Sequence, residues 1–428
     1  MIKKMKKRIC KVSAGLMALL MGMTAITGCG KETVSDHKSS DFKASDDIEG
    51  VFDPKSKSAL KKTQEIENLV NYYYYFEKDY DKQEESYYDG IMEGLDDPYS
   101  VYYTKEEYKR LLEDDSGEFT GIGATVSKNI DTNEISIVKP MEGSPAAKAG
   151  MLPGDVVVKV DETVITPDME LEAVVNMIRG EENTDVTVTV KREGVSEEIV
   201  LKITRAKITN PTVSYEMLDG NIGYIKIDQF ISVTADQFKN AVDDLQSKGA
   251  KSLIFDLRNN PGGLLSAVVS MCDYLVDDNV TAPGGEGAGD ILYTKDKNDK
   301  NIEKYGCSDK HSVDLPMVIL VNENSASASE VFTSCMRDYG KATIVGTTTF
   351  GKGIVQTIFP LSDGSAVKMT IAKYYTPSHT EIHKIGISPD VEVELPDDLK
   401  KKVTIPHKDD TQLQAAVKAL GGAPLTDN

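Results

Sequence analysis

The sequence predicts an α/β core with a largely parallel sheet, preceded by a helical segment and an inserted β-rich domain. Three observations lead there. After Pro211, strand-like and helix-like runs alternate: YIKIDQF, a helix over Ala235–Lys248, SLIFDLR, a helix over Leu264–Val276, MVILVNE, a helix over Ser327–Arg337, and ATIVGTT. That alternation is the pattern of strands joined by crossover helices. Residues 118–204 instead carry short β-type runs around only two helix candidates, Ala146–Ala149 and Met169–Arg179. Residues 58–117 show helix-period apolar positions such as Leu60, Ile66, Leu69, Val70 and Tyr73. A chain of 428 residues has room for two or three such domains.

The chain opens on a basic cluster, Lys3, Lys4, Lys6, Lys7, Arg8 and Lys11, followed by an uncharged, mostly apolar run of 15 residues, Val12–Ile26. A membrane span needs about 20 residues, whereas a signal-peptide core is this short. The run ends in Ile26-Thr27-Gly28-Cys29, which resembles a bacterial lipoprotein cleavage box. Residues 1–28 are therefore expected to be a lipoprotein signal peptide. Cys29 is the expected lipidation site, holding the protein on the extracytoplasmic side of the cell membrane. An uncleaved anchor, or a cut that leaves Cys29 a thiol, would export the chain equally. Residues 29–57 are polar and rich in Ser, Asp and Lys, as a flexible tether would be.

Net charge is −20, and −26 once residues 1–28 are removed. So acidic a surface argues against nucleic acid and against docking on anionic lipid. Past Cys29 only Cys272, Cys307 and Cys335 remain, an odd number, and neither CxxC nor HExxH spacing occurs. No metal and no cofactor is expected.

In the helical segment, the Tyr72–Tyr75 run reads as a packing or dimer face. Pro98 breaks the stretch GLDDPYSVYYTKEEYKRLLEDD, and Thr104 with Glu107 three positions on forms a capping box for a new helix. In the β-rich domain, TGIGATVS followed by SPAAKAGMLPGDVVVKVDE resembles a PDZ domain of the permuted kind found in bacterial proteases. Such domains add a C-terminal peptide to a sheet edge and hold its carboxylate on loop amides. The resemblance implies Gly121, Ile122 and Gly123 as that loop, with Val174, Met177 and Ile178 walling the groove. The same apolar residues at helical spacing also suit a core. Between the later strands, the polar, glycine-rich stretch 277–313 reads as a surface insertion within a core spanning 205–398. Residues 399–428 read as a closing helix and tail.

Two motifs end predicted strands, where α/β sheets place their sites. These are FDLRNNPGG (255–263) and VNENSASASE (321–330), and RDYG (337–340) and GTTTFGKGIVQ (346–356) lie downstream. A serine nucleophile needs a base. The five histidines, at 37, 311, 379, 383 and 407, fall in tether, insertion, loop and tail, so a Ser-His-Asp triad is poorly supported. Lysine is the alternative, provided burial lowers its pKa from about 10.4. Lys352, between two glycines, is placed for that role.

The ordered set NPGG, SASASE, DYG and FGKGxVQ resembles the carboxyl-terminal processing (tail-specific) proteases, over roughly residues 58–395. The resemblance implies a catalytic core related to the crotonase and Clp-protease folds. Ser327 would be the nucleophile, Lys352 the general base, and Gln356 the residue orienting the amine. Gly262 or Gly263 together with Ala328 would form the oxyanion hole. Asp338 matches an acid that matters in some members and is read here as structural support. Ser325 is expected to cap the helix and Ser329 to pack. The stretch TEIHK departs from the family's glycine-rich pattern. The implied substrates are proteins or peptides with apolar C-termini; a homodimer and an activating partner are left open. Two rivals are an inactive PDZ scaffold and a crotonase-like ligand-binding or acyl-transfer protein.

Overall fold

The computed structural model describes residues 54–426 except 131, 401, 403 and 404; the expectations for the signal peptide and Cys29 lie outside the described residues. The chain forms two compact units. One takes the residues up to Lys109 with Lys295–Lys300 and Ile354–Lys373; the other takes Arg110–Thr294, Asn301–Gly353 and Tyr374 onward.

Helix α1 (Pro54–Tyr73) takes in the last four residues of the expected tether, with proline in the first turn, where its missing N–H costs nothing. Tyr72, Tyr73, Tyr74 and Tyr75 at its end are all exposed. Asp79 caps α2 (Tyr80–Glu93) by accepting from Lys82 N at 3.0 Å. After β1 (Val101–Tyr103), the predicted capping box is present. Glu107 N donates to Thr104 Oγ1 at 3.2 Å and Thr104 N to Glu107 Oε2 at 3.0 Å, which starts α3 (Lys105–Ser116).

The β-rich domain begins and ends on a two-stranded antiparallel arm formed by β2 (Glu118–Gly121) with Ala206–Thr209. Between them run β3 (Ala124–Lys128), β4 (Ile135–Pro140), α4 (Pro145–Lys148), β5 (Val156–Val160), β6 (Thr163–Val164), α5 (Leu171–Ile178), β7 (Asp185–Lys191) and β8 (Ile199–Thr204). The sheet order is β3-β4-β5-β7-β8, so β3 is an edge. Its core is Ile135, Ile137, Val157, Val186, Val188 and their neighbours. The GD turn is held by charge: Asp155, fully buried, takes two bonds from Arg192 (2.7 and 2.8 Å) and one from Leu152 N (2.9 Å). Burial opposes ionisation of Asp155, but Arg192 outweighs it and holds the carboxyl below its ordinary range.

Past β9 (Ala206–Thr209), the core sheet is built from β10 (Val213–Leu218), β11 (Ile222–Ile227), β12 (Ser252–Asp256), Met317–Val321, Ala342–Gly346 and Val391–Glu392 in that spatial order. Only β10 is antiparallel. Helices α6 (Thr234–Ser247) and α7 (Leu265–Leu275) flank β12, a strand buried at every position. Such strands read as unbroken apolar runs because both faces are covered. Stretch 277–313 is not only surface: β13 (Asp290–Lys295) buries Ile291, Leu292 and Tyr293 and neighbours β14 (Asn301–Gly306). The flanking glycines and charges hide that three-residue apolar run. Then follow β15 (Met317–Val321), α8 (Ala328–Asp338) and β16 (Ala342–Gly346). Phe238 of α6, Phe255 of β12 and Phe332 of α8 meet with ring centroids 5.4–6.0 Å apart, and this packing fixes α8 on the sheet. Fully burying one such ring contributes about 1.5–3 kcal/mol.

In the first unit β17 (Ile354–Pro360) and β1 both pair antiparallel with β18 (Ala366–Tyr375). The second unit closes with β19 (Val391–Glu392), α9 (Asp397–Lys400) and α10 (Thr411–Ala419). Leu413, Ala416 and Val417 of α10 pack with Ile254, Val318 and Val345 of the sheet.

Candidate active site

Both chemistry-bearing motifs begin where parallel strands end. After β12, Arg258 folds back on Asp256 (Nε to Oδ1 2.9 Å, Nη2 to Oδ2 2.6 Å) and reaches Asp410 (3.0 Å) and Gln412 (3.1 Å) ahead of and within α10. Tyr224 Oη adds a 2.6 Å bond to Asp256. Asp256 is fully desolvated, which disfavours its charge, but Arg258 wins and holds the carboxyl low. Next, the buried Asn260 acts as a hub. Its Nδ2 donates to Ile227 O (2.8 Å) and its Oδ1 accepts from Gly262 N (2.9 Å). Its carbonyl accepts from Ala326 N (3.1 Å) and Ser329 Oγ (2.9 Å).

One residue on, Gly263 has φ 150°, and a Cβ there would lie 1.9 Å from Phe230 O, so only glycine fits. The bond from Gly262 N to Asn260 corrects one expectation: that N–H is committed and cannot serve a developing oxyanion. Among the described residues the N–H groups of Gly263 and Ala328 carry no hydrogen bond.

After β15, Ser325 does not cap α8. Its hydroxyl donates to Leu257 O (2.8 Å) and accepts from Asn322 N (2.9 Å), locking the two motif loops together. Ser329 packs, as expected. Ser327 is itself the N-cap of α8, with φ 56° and ψ −113°. That conformation lies outside the left-handed well and costs a non-glycine residue of order 1–3 kcal/mol. The turn lifts Ser327 to the positive end of α8.

The backbone that tolerates this strain is pinned by Glu330, which is fully buried. Its Oε2 accepts from Ser327 N and from Lys352 N, each at 2.8 Å, and its Oε1 from Thr349 Oγ1 (2.6 Å) and Gly351 N (2.7 Å). Burial pushes this carboxyl above its ordinary value, against the pull of those four donors. Ser327 and Lys352, 25 positions apart in sequence, are thus joined through one carboxylate oxygen. On the carbonyl side, the buried Tyr374 hydroxyl lies 2.5 Å from Lys352 O and 3.1 Å from Ser327 O. Lys352 is 3% exposed and Ser327 5%. The TEIHK stretch covers this loop: Lys384 N donates to Gly351 O (2.7 Å), and a Cβ on Gly353 would sit 2.6 Å from His383 N.

Gln356 belongs to the first unit, where its Nε2 donates to Thr370 Oγ1 (3.3 Å), which donates in turn to Asp97 Oδ2 (2.7 Å). Asp338 accepts from Ser378 N (2.9 Å) and fixes the turn after β18. No role was read for Asn260, Glu330 or Tyr374 in the sequence. Asn260 had a signal as the first residue of NPGG, and Glu330 as the third residue past Ser327 in a capping-box spacing.

In the β-rich domain the groove assignment changes. Ile122, Val174 and Ile178 are buried in the domain core; only Met177 of the three helix residues is partly exposed. Val174 and Ile178 are one turn apart and face the sheet. Gly121 ends β2, and Gly123 has φ 72° with no room for a Cβ beside Ser144 (2.5 Å). Arg205 caps α5 by donating to Ile178 O (2.8 Å) and Met177 O (3.1 Å).

Residues 221–393 match the family described as Peptidase family S41, and residues 136–192 match a PDZ domain. A probable CtpA-like serine protease of Staphylococcus aureus (strain N315) is 42% identical over 337 residues, 79% of this chain and 65% of that protein. The protein of the same description from Staphylococcus epidermidis (strain ATCC 35984) is 42% identical over 337 residues, covering 79% and 66%. The chain thus spans 65–66% of the length of these relatives. Among solved structures, the photosystem II D1 C-terminal processing protease is 32% identical, covering 73% of this chain and 82% of that one, with a TM-score of 0.43. The family matches and sequence identities place residues 221–393 of this chain in peptidase family S41 and residues 136–192 among PDZ domains.

Proposed function

We propose that the protein is an exported, lipid-anchored serine endopeptidase that cuts protein substrates whose apolar C-termini its PDZ domain captures. The observation that carries this reading is the single Glu330 oxygen that accepts from both Ser327 N and Lys352 N, beside a Ser327 backbone held at positive φ. In the proposed reaction Lys352, as a neutral amine, takes the Ser327 proton while Oγ attacks the scissile carbonyl. The oxyanion accepts from Gly263 N–H and Ala328 N–H. The Lys352 ammonium then protonates the departing amine, leaving an acyl-serine. Water loses a proton to Lys352, attacks the ester, and frees the acid as the proton returns to Ser327. Gln356 keeps the supporting role that the family resemblance implies. The β3 edge and the loop Gly121–Gly123 offer the strand-addition site for the substrate's C-terminus.

The test is hydrolysis of a loosely folded protein and of peptides with free or amidated apolar C-termini, by the parent and by Ser327→Ala and Lys352→Ala. Loss of cutting in both folded variants, with preference for free C-termini, is expected. Binding without cutting by the parent would instead favour a PDZ scaffold. Cutting that survives Ser327→Ala would remove the nucleophile assignment.

A further inference from the structure

The geometry points to Tyr374 as a positioning residue for the Ser327–Lys352 pair, an inference that rests on the reading of Ser327 as nucleophile. Lys352 sits between Gly351 (φ 86°) and Gly353, the least constrained kind of backbone for a residue whose amine must meet one oxygen atom. Neither flanking residue has a side chain to pack, so the loop takes its shape from hydrogen bonds. Glu330 holds the N–H groups of Ser327, Gly351 and Lys352. Tyr374 holds what Glu330 cannot, the carbonyls: its hydroxyl is 2.5 Å from Lys352 O and 3.1 Å from Ser327 O, and its own N–H donates to Gly353 O (3.1 Å).

The two carbonyls stand differently toward this hydroxyl. Ser327 O also accepts from Glu330 N (2.8 Å) and Val331 N (2.9 Å), the first bonds of α8. The closer Tyr374 contact goes to Lys352 O, on the glycine-flanked loop. Burial pushes the phenol well above its ordinary value, so it stays a donor throughout the working range. Tyr374 therefore acts through Lys352 and Ser327 and touches no substrate. Its one proton goes mainly to Lys352 O, with Ser327 O as the longer arm, and so ties the lysine loop to the start of α8.

Tyr374→Phe keeps the ring and removes only the donor. The full-length protein in detergent is labelled with an alkyl fluorophosphonate from pH 6 to 10, alongside peptide kcat and KM and thermal melting. The expected result is a labelling rate and kcat about tenfold lower, the size of one lost hydrogen bond felt at the reacting pair. KM should stay within about twofold, so that the loss falls on the reacting pair and not on substrate binding. A lower Tm with parental labelling rate and kcat would make the hydroxyl merely structural and overturn the inference. A second variant, 4-aminophenylalanine at 374, restores an N–H donor. It should label near the parental rate, and a folded form that stays tenfold slow also overturns the inference. Labelling that persists in Ser327→Ala would sink the protease reading itself, a separate outcome.

Discussion

Replacing Glu330 by glutamine tests the central clamp most directly. All four groups that bond Glu330 are donors: Ser327 N and Lys352 N on one oxygen, Thr349 Oγ1 and Gly351 N on the other. Turned one way, a glutamine NH2 faces two backbone donors, Ser327 N and Lys352 N; turned the other, it faces Gly351 N and a Thr349 hydroxyl that can rotate to accept, so one or two bonds become repulsive contacts. A hydrogen bond to a charged group is worth about 1.5–3 kcal/mol, so the loss amounts to about 1.5–6 kcal/mol. Part of that falls on stability. If about half falls on the alignment of Ser327 with Lys352, the rate drops by roughly 4- to 100-fold, since 1.4 kcal/mol is a factor of ten. The assay is peptide hydrolysis and fluorophosphonate labelling of Glu330→Gln at a temperature well below its measured Tm. Activity within about threefold of the parent, in a folded variant, would refute the idea that this carboxylate sets the geometry of the pair.

Three further outcomes follow from the end of β12 and the loop after it. Gly263→Ala forces a methyl to within 1.9 Å of Phe230 O, so the N–H proposed as an oxyanion donor must move. Activity should fall by about 100-fold or more, in the range seen when one oxyanion donor is lost, while substrate binding by the PDZ domain is unchanged in a peptide pull-down. Arg258→Met leaves Asp256 and Asp410 without their cation and should destabilise the folded chain by about 3–5 kcal/mol by urea titration. The pH sign follows from Asp256, whose carboxyl is held low by Arg258 against its desolvation. Its contribution is present above the unfolded value of about 3.9 and is lost as pH falls through the lower native value. Asp256→Asn should flatten the acid-side slope of stability below about pH 4.

Legibility in the sequence tracked how local the cause was. The run SLIFDLR announced a strand because every residue of β12 is buried, and Thr104 with Glu107 announced a helix start because a cap reads only its own turn. SASAS was ambiguous for the opposite reason. Which serine caps and which one ties to Leu257 depends on a loop some 70 positions away, so Ser325 was misassigned. Val174 and Ile178 fit groove or core equally by periodicity, and only the packed sheet decides. Tyr374 carried no local signal, being an ordinary strand aromatic until tertiary structure places acceptors around it, and Asn260 stood out only as the first residue of NPGG, without its role as a hub. Ile291–Tyr293 were lost in a polar setting because a three-residue apolar run is too short to outweigh its neighbours.

The bonds from Arg258 to Asp410 and Gln412 bridge more than 150 positions of sequence. During synthesis the NPGG loop leaves the ribosome long before the residues that anchor it. A growing chain stopped anywhere short of Asp410 leaves Arg258 with half its carboxylates and the sheet without the α10 face that covers Ile254, Val318 and Val345. Synthesis through α10 is thereby built into assembly of the loop that follows β12.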